Sequence, residues 1–230
     1  MKFGVTQAFD CSYLPDKKEQ LLVYVEETAD CNVQYELLIR AGFRRSGEQI
    51  YRPHCPSCNA CQSLRIVSNE FKPSGSQKRI LNKNRHISVK VQREIQDNYY
   101  PLYDEYIRQR HADGSMYPPS QVQFDNFIRC QWNTGLFFEA WLNDELIAVS
   151  IVDELSEAYS ALYTFFKPEL ADLSLGKHMI MKIVERAVHE GKPYVYLGYQ
   201  IDDCKKMNYK RDFHPHERFY DNKWHRIQKK

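Results

Sequence analysis

The sequence predicts an α+β fold in two parts, a cysteine-bearing module over residues 1–72 and a mixed-sheet domain over residues 73–230. Three observations carry that reading. Residues 135–142, 146–153 and 158–166 are apolar, β-prone stretches separated by turn residues, which makes an antiparallel meander. An amphipathic helix over 175–189 then leads into a buried strand over 194–198. Upstream, Tyr51–Arg65 reads YRPHCPSCNACQSLR, with Cys55, Cys58 and Cys61 as two overlapping C-x-x-C pairs that aim soft ligands at one centre.

Taken in order, residues 21–25 suit a short strand. Asn32 can cap a helix over 33–41 that Gly42 stops, and two strands, 43–46 and 49–51, follow. After the knuckle, 63–67 returns as a strand, and a basic helix occupies about 77–84. Ile87, Val89 and Val91 alternate as in a half-buried strand. Residues 98–110 are helical, 111–119 a loop, and Ser120 caps a helix that runs to about 130. The tail from Asp202 is polar, basic and aromatic, with no regular element assigned.

With 43% hydrophobic and 27% charged residues, the chain has the composition of a globular protein with a proper core. No stretch reaches the roughly 18 apolar residues of a membrane span, and the N-terminus has no signal-like apolar region. A cytoplasmic protein is expected, with cysteines as thiols or metal ligands rather than disulfides. Net charge is only +2, yet Lys72–Arg93 holds seven basic residues and no acid, and residues 205–230 hold nine against three. Those blocks suit an RNA or phosphate partner. A fourth ligand for the knuckle could come from His54 nearby, or from Cys11 or Cys31.

A meander whose last strand feeds a helix and then a further strand is the element order of the acetyltransferase-like acyltransferases. There two parallel strands splay apart and the helix N-terminus faces the donor's phosphates. Ser174, Gly176 and Lys177 make such a turn here, but without the fuller glycine pattern of coenzyme A-dependent members.

The motifs RAGFRRSG (40–47), YRPHCPSCNAC (51–61), SQKR (76–79), RHADGSM (110–116), YTFFKP (163–168), SLG (174–176) and YVYLGYQIDDCKKMNYKRDFHP (194–215) span nearly the whole chain. Together they resemble the bacterial aminoacyl-tRNA–protein transferases, in the branch that donates leucine. The resemblance implies transfer of an amino acid from charged tRNA to proteins with N-terminal Asp or Glu, marking them for N-degron degradation. It implies an acetyltransferase-like C-terminal domain. It also implies a cysteine cluster, with Cys11, Cys55, Cys58 and Cys61 as counterparts of the metal or iron–sulfur ligands of eukaryotic relatives.

Chemistry on the matched positions suggests roles. Aminolysis of an activated ester needs two positioned substrates, loss of one proton and a stabilised oxyanion, and no cofactor. Tyr196 and Tyr199 are candidates to receive the amine proton, with Asp203 and its neighbour Asp202 as carboxylate alternatives. Strand alternation sends Tyr196 and Tyr199 to opposite faces. An acidic acceptor side chain calls for a guanidinium, so Arg79, Arg110 and Arg211 are singled out, with Lys206 and Lys210 beside them. Met116 suits a leucine slot, His111 suits stacking on the terminal adenine, and Ser174 with Gly176 offers backbone N–H groups. Arginine as the donated residue, a coenzyme A-dependent acetyltransferase and a metal-clasped RNA-binding module are the rival readings.

Overall fold

The computed structural model describes residues 1–26, 31–114, 116–133 and 135–227. The elements in order are β1 (Phe3–Val5), β2 (Phe9–Asp10), β3 (Lys18–Glu19), β4 (Leu21–Tyr24), α1 (Cys31–Arg40), β5 (Arg44–Ser46), β6 (Gln49–Pro53) and β7 (Gln62–Val67). There follow α2 (Gly75–Lys83), β8 (Ser88–Gln92), α3 (Tyr99–Arg110), α4 (Gln121–Ile128), β9 (Gly135–Leu142), β10 (Glu145–Glu154) and β11 (Ala158–Phe166). The chain continues through α5 (Leu175–His189), β12 (Tyr194–Gln200), β13 (His216–Tyr220) and β14 (Lys223–Ile227).

The expected meander is present. β9, β10 and β11 pair antiparallel, and Asn143 and Asp144 turn the first hairpin with positive φ, as a two-residue turn of matching twist requires. They belong to an eight-stranded sheet ordered β14-β13-β7-β12-β11-β10-β9-β8. Successive side chains feed opposite faces. Phe138, Ala148 and Val152 join Met179, Ile183 and Val184 of α5, while Phe137, Val149 and Ile151 join Tyr103, Ile107 and Phe124 of α3 and α4. The apolar stripe expected on α5 is buried throughout.

Three elements differ from the expectation. The helix expected to start after Asn32 begins at Cys31, so Asn32 lies within its first turn and is not the cap; residues 27–30 lie outside the described residues. The 202–230 tail, left without an element, carries the β13–β14 hairpin, whose polar and aromatic strands have no clean alternation because β13 also pairs with β7. α2 starts earlier than expected, at Gly75, because Ser74 and Gln77 form a reciprocal capping box.

The N-terminal β1, β4, β6 and β5 form their own sheet, but β7, from the same third of the chain, lies between β12 and β13 in the large one. The expected division after residue 72 is therefore crossed by a sheet. A third core cluster, including Tyr35, Leu38, Ile50 and Tyr196, fills the junction. Arg45 Nε lies 2.9 and 3.0 Å from the two carboxylate oxygens of Asp153, and Tyr35 donates to the same carboxylate at 3.0 Å. The ion pair is fully enclosed.

Candidate active site

β11 and β12 form the one parallel pair among the described strands, and their register covers only Ala158–Tyr194, Tyr159–Val195 and Ser160–Tyr196. Beyond it, residues 161–166 and 197–200 of the two strands do not pair with each other. A bulge in β12 between Tyr196 and Gly198 marks the point of separation, with Gly198 at φ +73°. The bulge also resets the side-chain alternation. Tyr196 and Tyr199, expected on opposite faces, both meet the N-terminal part of the chain.

Arg44 occupies the gap. Strand alternation in β5 sends Arg45 to Asp153 and Arg44 the other way, where its Nη2 donates to Leu162 O of β11 at 3.0 Å. Across the gap, a Cβ on Gly198 would stand 2.2 Å from Arg44 Nη1, so the approach requires glycine. The guanidinium lies 5.8 Å from the Tyr199 ring centre. Its Nε is enclosed without a hydrogen-bond acceptor, and no carboxylate among the described residues pairs with it.

Lys210, on the 3-10 turn Asn208–Asp212, is buried, with Nζ 2.5 Å from the Tyr199 main-chain oxygen and 3.5 Å from Met207 Sδ. Burial, and after it the charge of Arg44, pushes the amine down to about 7. The Tyr199 hydroxyl donates to the carbonyls of Tyr51 (3.1 Å) and Gly42 (3.3 Å), and burial holds its proton affinity well above the ordinary phenol value. The Tyr196 hydroxyl accepts from Arg65 Nη1 at 3.1 Å. Asp203 is exposed, and its neighbour Asp202 forms a two-pronged pair with Arg218 at 2.7 and 3.1 Å.

Several of the expected residues gather beyond the ends of β11 and β12. His111 hydrogen-bonds to Tyr106, whose ring packs on Phe166 of β11, and burial and Lys206 lower the imidazole's proton affinity. Lys206 reaches Asp113 at 2.7 Å on the same loop, and Met116 packs on the adjoining core. Ser174, in the left-handed region, precedes α5, and the Cβ position of Gly176 faces Phe166 at 3.9 Å. Lys177 ties this turn to Asp212 at 3.2 Å. The arginines do not converge: Arg79 is exposed on α2, Arg110 at the end of α3, and Arg211 is exposed 3.9 Å from Asp202. Arg44 and its role in the gap were not legible in the sequence. The one available signal is the adjacent pair Arg44-Arg45, since alternation must bury one or both in a strand with a covered face.

Cys11, Cys55, Cys58 and Cys61 line one cavity of about 290 Å³, together with His54, Tyr13, Tyr51 and Tyr199. Burial pushes the Cys61 thiol up to about 12, and Cys11, Cys55 and Cys58 push in the same direction. The neighbouring thiols thus burden a thiolate at Cys61, a repulsion that a divalent cation relieves. As placed, no group of three His, Cys, Asp or Glu side chains among the described residues already forms a cage.

Residues 9–79 match the family described as arginine-tRNA-protein transferase, N terminus, and residues 98–220 match its C terminus. The aspartate/glutamate leucyltransferase of Pseudoalteromonas atlantica is 50% identical over all 230 residues, covering 99% of that protein. That of Aeromonas hydrophila is 48% identical over the whole chain, covering 97% of its own length. That of Vibrio vulnificus is 43% identical over 97% of this chain and 96% of the relative. Among solved structures, that of FemX is similar at 10% identity with a TM-score of 0.48, covering 89% of this chain and 81% of that one, too slight a likeness to carry an argument.

Proposed function

As the chain belongs to the arginine-tRNA-protein transferase family, in its aspartate/glutamate leucyltransferase branch, we propose that it carries leucine from leucyl-tRNA to the N-terminal Asp or Glu of proteins. The product bears an N-terminal leucine and enters N-degron degradation. The observation that carries this reading is the relation over the whole of this chain, at 50% and 48% identity, to proteins named for that activity.

In the reaction the acceptor α-amine attacks the ester carbonyl of leucyl-tRNA. The new C–N bond forms, the bond to the ribose oxygen breaks, and the amine's proton ends on that oxygen. An N-terminal amine titrates near 7.7–8.0, so the protein's task is positioning and help with one proton. We assign the gap between β11 and β12 as the place of transfer, an arrangement of acetyltransferase type. Lys210 suits the proton step better than the tyrosines: its amine titrates near neutrality, whereas Tyr199 already donates to two carbonyls and Tyr196 is held by Arg65. Asp203 stands by as a solvent-side carboxylate. Ser174, Gly176, His111, Lys206 and Met116, gathered at the open end, suit the tRNA 3′ end and its leucyl group. Arg79, Arg110 and Arg211 suit phosphates of the tRNA.

The four cysteines do not form a cage as placed, and it is their position around one shared cavity that supports a structural zinc or iron–sulfur group there. Such a group would clasp the N-terminal segment, and no step of transfer needs it. Leucine as the donated residue is favoured by the relatives' activity, while the family description makes arginine the second reading. The test is transfer from labelled leucyl- and arginyl-tRNA to peptides beginning Asp, Glu, Lys or Ala. Leucine on Asp and Glu peptides alone is the expected result. Arginine instead would move the chain to the other branch, and binding of tRNA without transfer would make it an RNA-binding module.

A further inference from the structure

We infer that Arg44 is the residue that recognises the acceptor's side-chain carboxylate, from within the gap between β11 and β12. The inference rests on the leucyl-transfer reading and specifies where its acceptor selectivity resides.

A buried guanidinium normally ends on a carboxylate, because an unpaired charge away from water is costly. Arg45, one residue on, obeys that rule with Asp153. Arg44, half-buried, does not: one main-chain carbonyl, Leu162 O, accepts from Nη2, and the enclosed Nε has no acceptor. The surroundings add no negative charge. Its neighbours include the ring of Tyr199 and the buried Lys210, itself without a carboxylate and near enough to feel Arg44's charge. Two basic groups thus lie close together among phenols and carbonyls, a composition that suits an incoming anion. The fold also keeps Arg44 in place at the cost of a glycine in the left-handed region, since any Cβ at 198 would strike Nη1.

A side-chain carboxylate fits this place better than a tRNA phosphate. The charge lies inside a strand gap, within electrostatic reach of Tyr13, Tyr51 and Tyr199, and those three rings line the neighbouring cavity from which one short side chain would approach. A polynucleotide backbone needs an open groove. Docking there would leave the acceptor α-amine, a few bonds from its carboxylate, close to Lys210. It would also offset the charge that lowers the proton affinity of that amine, making Lys210 a better proton acceptor once the acceptor is bound.

The test is leucine transfer and direct binding with two peptides that differ only in Asp or Asn at position one, using wild-type protein and Arg44→Gln. Glutamine can still donate to Leu162 O. Wild-type protein is expected to prefer the Asp peptide by roughly 10- to 100-fold in affinity, the range of a charged hydrogen bond, and Arg44→Gln to bind both alike. The Asp-peptide KM should rise by a similar factor while binding of leucyl-tRNA is unchanged. Should Arg44→Gln not fold, Gly198→Ala displaces the guanidinium with every charge retained and is read in the same way. A variant that keeps the wild-type Asp/Asn ratio overturns the inference, and weakened tRNA binding alongside it would identify the anion as phosphate. Wild-type protein that neither transfers leucine nor favours Asp overturns the functional reading as well.

Discussion

Lys210 Nζ lies 2.5 Å from the main-chain oxygen of Tyr199, so a side chain from the turn after β12 closes back on that strand where it leaves β11. The contact gives a buried amine one carbonyl, one thioether and no counter-charge. Its proton affinity, about 7, is therefore low for a lysine and close to the working pH.

Substituting Lys210→Met should lower kcat by about 100-fold if the amine takes the proton. Stability should move the other way. The native amine titrates near 7 and the unfolded one near 10.5, so the unfolded chain binds more protons across that window. Wild-type stability thus gains from this group as pH rises from 7 to 10.5, and the full penalty applies below 7. Urea unfolding at pH 6 should show Lys210→Met more stable by roughly 1–4 kcal/mol, with the difference shrinking toward pH 10. An equal difference at both pH values would place a charged Lys210 in the native protein.

The enclosed Arg45–Asp153 pair predicts a strongly asymmetric double-mutant cycle. Asp153→Ala should destabilise by about 3–5 kcal/mol, because it leaves a buried guanidinium and the Tyr35 hydroxyl without their acceptor. Arg45→Met together with Asp153→Leu should recover much of that loss in equilibrium denaturation. Additive losses would mean that the two groups are not coupled.

His178 on α5 is buried with both ring nitrogens unpartnered, and burial pushes the imidazole down to about 4. The native ring stays neutral between 6.5 and 4 while the unfolded ring takes up a proton, so stability falls as pH drops through that interval. Replacing His178 by Leu should remove about 2–4 kcal/mol of that acid sensitivity. His216, also pushed down to about 4, would keep the rest. Thermal melts of the wild-type protein and His178→Leu at pH 7 and pH 4.5 would check this; an unchanged slope for His178→Leu would show that the ring is hydrated.

If the cysteine cavity holds a structural metal, protein purified without chelator should carry about one equivalent of zinc or an iron–sulfur chromophore. Elemental analysis and the visible spectrum distinguish the two. Cys58→Ser should lower both metal content and melting temperature. A metal-free wild-type protein with the same melting temperature would assign the four residues as thiols.

The sequence revealed most where periodicity is enforced by burial on both sides. The meander, α5 and its apolar stripe were legible because each residue on those elements has one available neighbour face. The β13–β14 hairpin was not, since Arg218 is oriented by Asp202, across an irregular turn, and Trp224 by Arg40, 184 residues away in the chain. The motif at 194–200 located the gap but not its geometry: a bulge at Gly198 overrides alternation, and nothing in YVYLGYQ reveals that an arginine from β5 is the cause. Lys210 was noticed as a cation, while its burial depends on a turn that folds under β12 and has no local signature.

The position of β7 has a consequence for synthesis. Val67 lies opposite Tyr194, and Leu64 opposite Arg218, so this strand stays open on both edges until residues far downstream have left the ribosome. Leu64 and Ile66, fully buried in the finished protein, must wait in the nascent chain without their sheet partners. Closure of such distant pairs is slow, and exposed strand edges attract other chains in the meantime. The unfinished chain thus has a long interval during which chaperones, or proteases, can reach it before its own sheet closes.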